Sequence, residues 1–118
     1  MFIYVAADSP IQTISHCLQE QPLEASFQKH FHENYELLLI INGDVHYNID
    51  GACYRLNRYD LLLIPASTYH FLIPISNQPY ESYVINISSN FVNSDRLRSL
   101  FSSPKILNIA NDIVVMIK

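Results

Sequence analysis

Positive charge is scarce in this chain. Seven Lys and Arg stand against eleven Asp and Glu, for a formal net charge of −4, and a domain of that balance has no electrostatic footprint for nucleic acid. Any contact with DNA has to come from another domain. Cysteine is also sparse: Cys17 and Cys53 lie far apart and show no CxxC spacing, which fits reduced thiols with one bridge as the upper limit. Long apolar runs are absent. The longest, Leu37–Ile41, is far below membrane-spanning length, and Met1–Pro10 lacks the basic start and apolar length of a signal peptide. The expectation is a cytoplasmic protein without a membrane segment. Strand–helix–strand alternation is missing too, which argues against a parallel α/β sheet.

What is there is a chain of 118 residues, 49% hydrophobic and 15% charged, enough for one domain that buries about two-thirds of its unfolded surface. Phe2–Ala6 and Ile11–Leu18 read as extended segments parted by Ser9-Pro10, and Ala25–Lys29 as a strand leading into a cluster of histidines. The apolar run after Tyr35 reads as a strand buried on both faces, closed by a tight Asn42-Gly43 hairpin. Val45–Asp50 alternates, with Val45, Tyr47 and Ile49 on one face, and Asp50-Gly51 marks a second hairpin returning through Ala52–Leu56. In the turn Asn57-Arg58-Tyr59-Asp60, Asn57 is the residue best suited to a left-handed conformation. Leu61–Ile64, Tyr69–Ile73 and Tyr80–Ser88 follow as strands, and Leu39 and Leu62 are expected to be buried. Toward the end, Phe91, Leu97, Leu100 and Phe101 fall at helical spacing. Lys105–Ile109 reads as a strand, and a second helix starts in the last residues, about 111–118. Strands recurring about every ten residues describe an all-β sandwich or small antiparallel barrel of roughly eight or more strands, with one or two C-terminal helices outside it.

The chemistry concentrates in His30, His32 and Glu36, joined by His70 downstream. On a strand, His30 and His32 project to one side about 6.6 Å apart, whereas straight extension would carry Glu36 roughly 13 Å beyond His32. The chain must therefore turn, and Glu33-Asn34 is the polar pair able to do it. Three imidazoles and a carboxylate form a set suited to iron, manganese, nickel, zinc or copper. The same residues can also hydrogen-bond to one another or to a small ligand. Ser67 beside His70 lacks a third orienting residue and a Gly-x-Ser-x-Gly elbow, so a serine nucleophile is not supported.

These residues resemble the cupin superfamily. Its first motif, HxH, three or four residues, Glu, six residues, Gly, is met by His30, His32, Glu36 and Gly43; of its second, Pro65 and His70 are kept. Tyr59, Ser67 and Pro74 stand where that second motif has two glycines and an asparagine, and Glu24 stands at the first motif's leading glycine. The run from Phe31 to Ile87 more narrowly resembles the sensor domain of AraC-type bacterial transcription regulators. That resemblance implies a cupin-like barrel (double-stranded β-helix or jelly roll) over residues 1–118 that binds a small effector, such as a sugar or aromatic acid. It also implies a homodimer, and a separate helix-turn-helix domain following in the full-length protein, which alone would contact DNA. The implied effector site is His30, His32, Glu36, Leu38, Tyr47, His70 and Tyr83. The implied domain is not an enzyme and works without a cofactor. The alternative is a metal-dependent cupin enzyme, a dioxygenase or isomerase, holding Fe, Mn, Ni or Zn on His30, His32, Glu36 and His70.

Overall fold

A computed structural model describes residues 11–25, 27, 30–31, 33–89 and 95–108. Nine strands run through them: β1 (Ile11–Gln19), β2 (His30–Phe31), β3 (Tyr35–Asn42), β4 (Val45–Ile49), β5 (Ala52–Leu56), β6 (Asp60–Ile64), β7 (Tyr69–Pro74), β8 (Tyr80–Ile87) and β9 (Lys105–Asn108). A 3-10 turn, Pro22–Glu24, and one short helix, α1 (Asp95–Leu100), complete the described elements. Among these residues no helix is long and apolar enough to cross a membrane. The expected strand at Phe2–Ala6 and second helix at 111–118 lie outside the described residues, as does the start of the helix expected from Phe91.

The strands form two antiparallel sheets, in the orders β1-β8-β3-β6-β9 and β2-β7-β4-β5. Ladder partners nest: β1 with β8, β2 with β7, β3 with β6, and β4 with β5. The polypeptide is thus one long antiparallel ribbon folded at a single tip and wound into a jelly roll. Asp50-Gly51 is that tip. Both residues have positive φ, 48° and 88°, as a two-residue type I′ turn demands, and Asn48 Oδ1 accepts from the Gly51 N–H at 3.0 Å.

Asn42-Gly43 is therefore not a hairpin, because β3 and β4 belong to different sheets. It is a corner between them. Gly43 has φ +147°, and a Cβ there would come within 3.0 Å of the Tyr80 ring, so the corner needs glycine for conformation and space. The left-handed residue before β6 is Tyr59 (φ 67°), not Asn57. The Asn57 N–H is instead committed to Asp60 Oδ2 at 2.7 Å, and the Tyr59 N–H donates to the Ile40 carbonyl at 2.7 Å. Ser67 (φ 58°) takes the same conformation before β7.

Tyr59 and Ser67 thus hold, with side chains, two backbone positions that suit glycine. A left-handed non-glycine residue costs about 1–2 kcal/mol, partly offset by the greater freedom glycine loses on folding. Ser67→Gly is expected to stabilise the domain by about 0.5–1 kcal/mol in urea unfolding. A loss of stability would show that this turn is unstrained.

The main core lies between the sheets. Leu38, Ile40, Leu62, Ile64 and Tyr80 from one meet Val45, Tyr47, Ile49, Leu56 and Leu72 from the other. A second cluster covers the outer face of the larger sheet, where Phe101, just after α1, packs with Leu63 and Ile87 against Tyr35, Leu37, Leu61 and Ile85. The Tyr35 and Phe101 rings are 5.0 Å apart. This double cover is the reason for the unbroken apolar run in β3. Leu39 is only half-buried, on the outer side, while Leu62 is fully enclosed.

Candidate functional site

Polar side chains are gathered in the middle of the apolar interior. After the bend at Glu33-Asn34 the chain enters β3, and alternation from there turns Glu36, Leu38 and Ile40 inward. On β7 the same rule turns His70 and Leu72 inward. Glu36 is 2% and His70 1% exposed, and Glu36 Oε2 lies 3.2 Å from His70 Nε2. His70 Nδ1 is 3.1 Å from the Thr68 carbonyl oxygen. A carbonyl only accepts, so this contact puts the proton on Nδ1 and turns Nε2 toward the carboxylate. The Nε2–carboxylate contact is attractive when a proton or a divalent cation is shared across it.

The loop before His70 is itself braced, since the Thr68 hydroxyl donates to the Pro65 carbonyl at 2.8 Å. Tyr47 from β4 stacks on the His70 ring, with centroids 5.9 Å apart and planes at 26°. Burial first, then the neighbouring Tyr80, Glu36 and Cys17, push the Tyr47 phenol well above the usual tyrosine range. Burial likewise raises Tyr80, partly countered by a hydrogen bond with Ser82. Both phenols therefore stay protonated at neutral pH and offer O–H donors. Phe27 meets the Tyr80 ring edge-on at 6.0 Å, and Cys17 packs against the same cluster, its thiol pushed up by burial.

Of the residues expected at an effector site, Glu36, Leu38, Tyr47 and His70 come together in this interior. His30 stands opposite His70 in the β2–β7 register, and His32 lies outside the described residues. Tyr83 does not join them. It sits on the outer face of β8, its ring 4.8 Å from that of His16, while His16 Nε2 contacts Glu81 Oε2 at 2.8 Å. The interior tyrosine of β8 is Tyr80, accompanied by Ser82 and Val84. The odd separation of Tyr80 and Tyr83 puts them on opposite faces of the strand without marking which face is inner.

Glu36 and His70 fit as part of a metal set: a carboxylate oxygen beside an imidazole whose other nitrogen is anchored to a backbone carbonyl. Among the described residues no group of three or more His, Cys, Asp or Glu is placed to hold a metal.

Comparison with known proteins gives a consistent picture. The profile of the AraC-like ligand binding domain matches residues 13–115. A search of curated protein sequences returned no match. Among solved structures, a Cupin 2 conserved barrel domain protein from Salinispora arenicola is similar over 84% of this chain and 81% of its own, with TM-score 0.62 and 18% identity. ToxT from Vibrio cholerae matches 92% of this chain with 46% of its own, at TM-score 0.61 and 16% identity. It has also been solved bound to (E)-4-(8-methylnaphthalen-1-yl)but-3-enoic acid. A salicylate 1,2-dioxygenase from Pseudaminobacter salicylatoxidans covers 83% of this chain with 26% of its own, at TM-score 0.58 and 18% identity. At these identities the structural likenesses establish the cupin fold and nothing finer.

Proposed function

Because the chain belongs to the AraC-like ligand binding domain family, we propose that it is the sensor domain of an AraC-type transcription regulator. In this reading it takes a small amphipathic effector between its sheets and thereby sets DNA binding by a helix-turn-helix domain elsewhere in the full-length protein. The observation that carries the reading is the enclosed polar group. A carboxylate, an imidazole and two protonated phenols converging in an apolar interior supply the polar contacts that orient a small ligand. Leu38, Ile40, Leu62 and Leu72 would face its apolar body. ToxT, crystallised with an amphipathic carboxylic acid, supports an effector of this general kind.

The acidic balance of the chain supports a division in which another domain contacts DNA. A gel shift at one stated salt concentration tests the division: the full-length protein is expected to bind paired half-sites as a dimer, and residues 1–118 alone to show no sequence-specific binding. Full-length protein with no DNA affinity at any salt would sink the proposal.

The anchored imidazole beside Glu36 favours one second reading, a metal-dependent cupin enzyme, in which Glu36 and His70 would be two ligands and His30 and His32 the others. Elemental analysis of protein purified without added metal separates the two. The sensor reading expects substoichiometric metal and a fold that survives chelation. One firmly held iron or manganese per chain, lost in His70→Ala, would favour the enzyme.

A further inference from the structure

Away from the interior, the outer face of the β4–β5 hairpin brings a thiol, an imidazole and a guanidinium together. In the ladder, Asn48 pairs with Cys53 and His46 with Arg55. Tyr54 and Leu56 pack toward the core, so Cys53 and Arg55 take the alternate, exposed positions of β5. Cys53 Sγ lies 3.5 Å from His46 Nδ1, diagonally across the ladder, so in the tautomer with its proton on Nε2 the imidazole accepts from the thiol. Among the described residues β5 is the edge strand of its sheet, and Cys53 is exposed on it. Arg55 is exposed and only loosely engaged, its guanidinium 3.7 Å from an Asp44 carboxylate oxygen. Its exposed guanidinium can therefore meet a further anion.

We infer that Cys53 is a thiol-exchange site for low-molecular-weight anionic disulfides, with His46 as its base and Arg55 as the contact for the incoming carboxylates. The step balances within these groups. As Sγ attacks one sulfur of the disulfide, the thiol proton passes to His46 Nδ1. The new S–S bond forms while the old one breaks, and the imidazolium returns the proton to the departing thiolate. Cys53 ends as a mixed disulfide, and half of the small disulfide leaves reduced, as a thiol. Cys17 provides the internal contrast, since it sits half-buried against the core. A surface cysteine that merely hydrogen-bonds its neighbour would show exposure but no dependence on His46 or on the charge of the reagent.

The test treats the folded, full-length protein with oxidised glutathione, which is anionic, or with cystamine disulfide, which is cationic, and follows each cysteine by peptide mass spectrometry. Cys53 is expected to form the mixed disulfide while Cys17 stays reduced. His46→Gln should slow both reagents about a hundredfold, the lower end of the range for a positioned general base. Arg55→Gln should slow oxidised glutathione by several-fold and leave cystamine unchanged. Should His46→Gln disturb the sheet, visible as labelling of Cys17, the shorter His46→Asn replaces it and Arg55→Gln still carries the test. Equal rates at the two cysteines, an unchanged rate in a folded His46 variant, or equal effects of Arg55→Gln on both reagents would overturn the inference.

Discussion

His70→Ala is expected to lower the unfolding free energy by about 3–5 kcal/mol, the range for truncating a large enclosed ring to alanine. The cost is not the loss of a 3.2 Å contact alone. It also includes the packing of the ring, which is 1% exposed and stacks on Tyr47. Glu36→Ala is expected to behave similarly. Glu36→Leu combined with His70→Leu should cost clearly less than the sum of the two alanine variants, because the two side chains are in contact and their losses overlap. Urea unfolding followed by circular dichroism reads all three. Single variants that each cost under about 1 kcal/mol, the usual worth of an exposed pair, would show that the two groups do not meet in a dry interior.

Leu62→Ala is expected to cost about 2–5 kcal/mol, since the side chain is fully enclosed between the sheets. Leu39→Ala should cost less than half as much, because Leu39 faces outward and keeps part of its surface in water. The denaturant dependence should be unchanged in both variants. Equal losses would mean that the inner and outer faces of β3 are assigned the wrong way round.

How far the fold was legible depends on the range of each signal. Alternation in Val45–Ile49 placed Tyr47 inside, and Asp50-Gly51 turned as its residue types require, because both are local properties. Asn42-Gly43 carries an equally strong local signal, yet a two-residue motif holds no information on which sheet receives the next strand. The left-handed position at Tyr59 escaped for a related reason. It is held by the Ile40 carbonyl, a partner remote in sequence. The meeting of Glu36 with His70 was implied by the resemblance to the cupin motifs. Choosing Tyr80 over Tyr83 was not, because both faces of β8 carry apolar residues: the outer cover that ends at Phe101 disguises the outer face as an inner one.

The nested winding also sets the order in which the ribbon can close. During synthesis, the Asp50-Gly51 tip emerges with both of its strands adjacent, while β3 must wait for β6, and then for β8 some 40 residues later. At about 5–20 residues per second, the Leu37–Ile41 run spends roughly 2–8 s on the ribosome with one edge unpaired. A β-prone apolar run left open that long invites pairing between nascent chains. The yield of folded protein should therefore depend on how fast it is made. Lower temperature and weaker induction, which thin the population of half-wound ribbons, favour it.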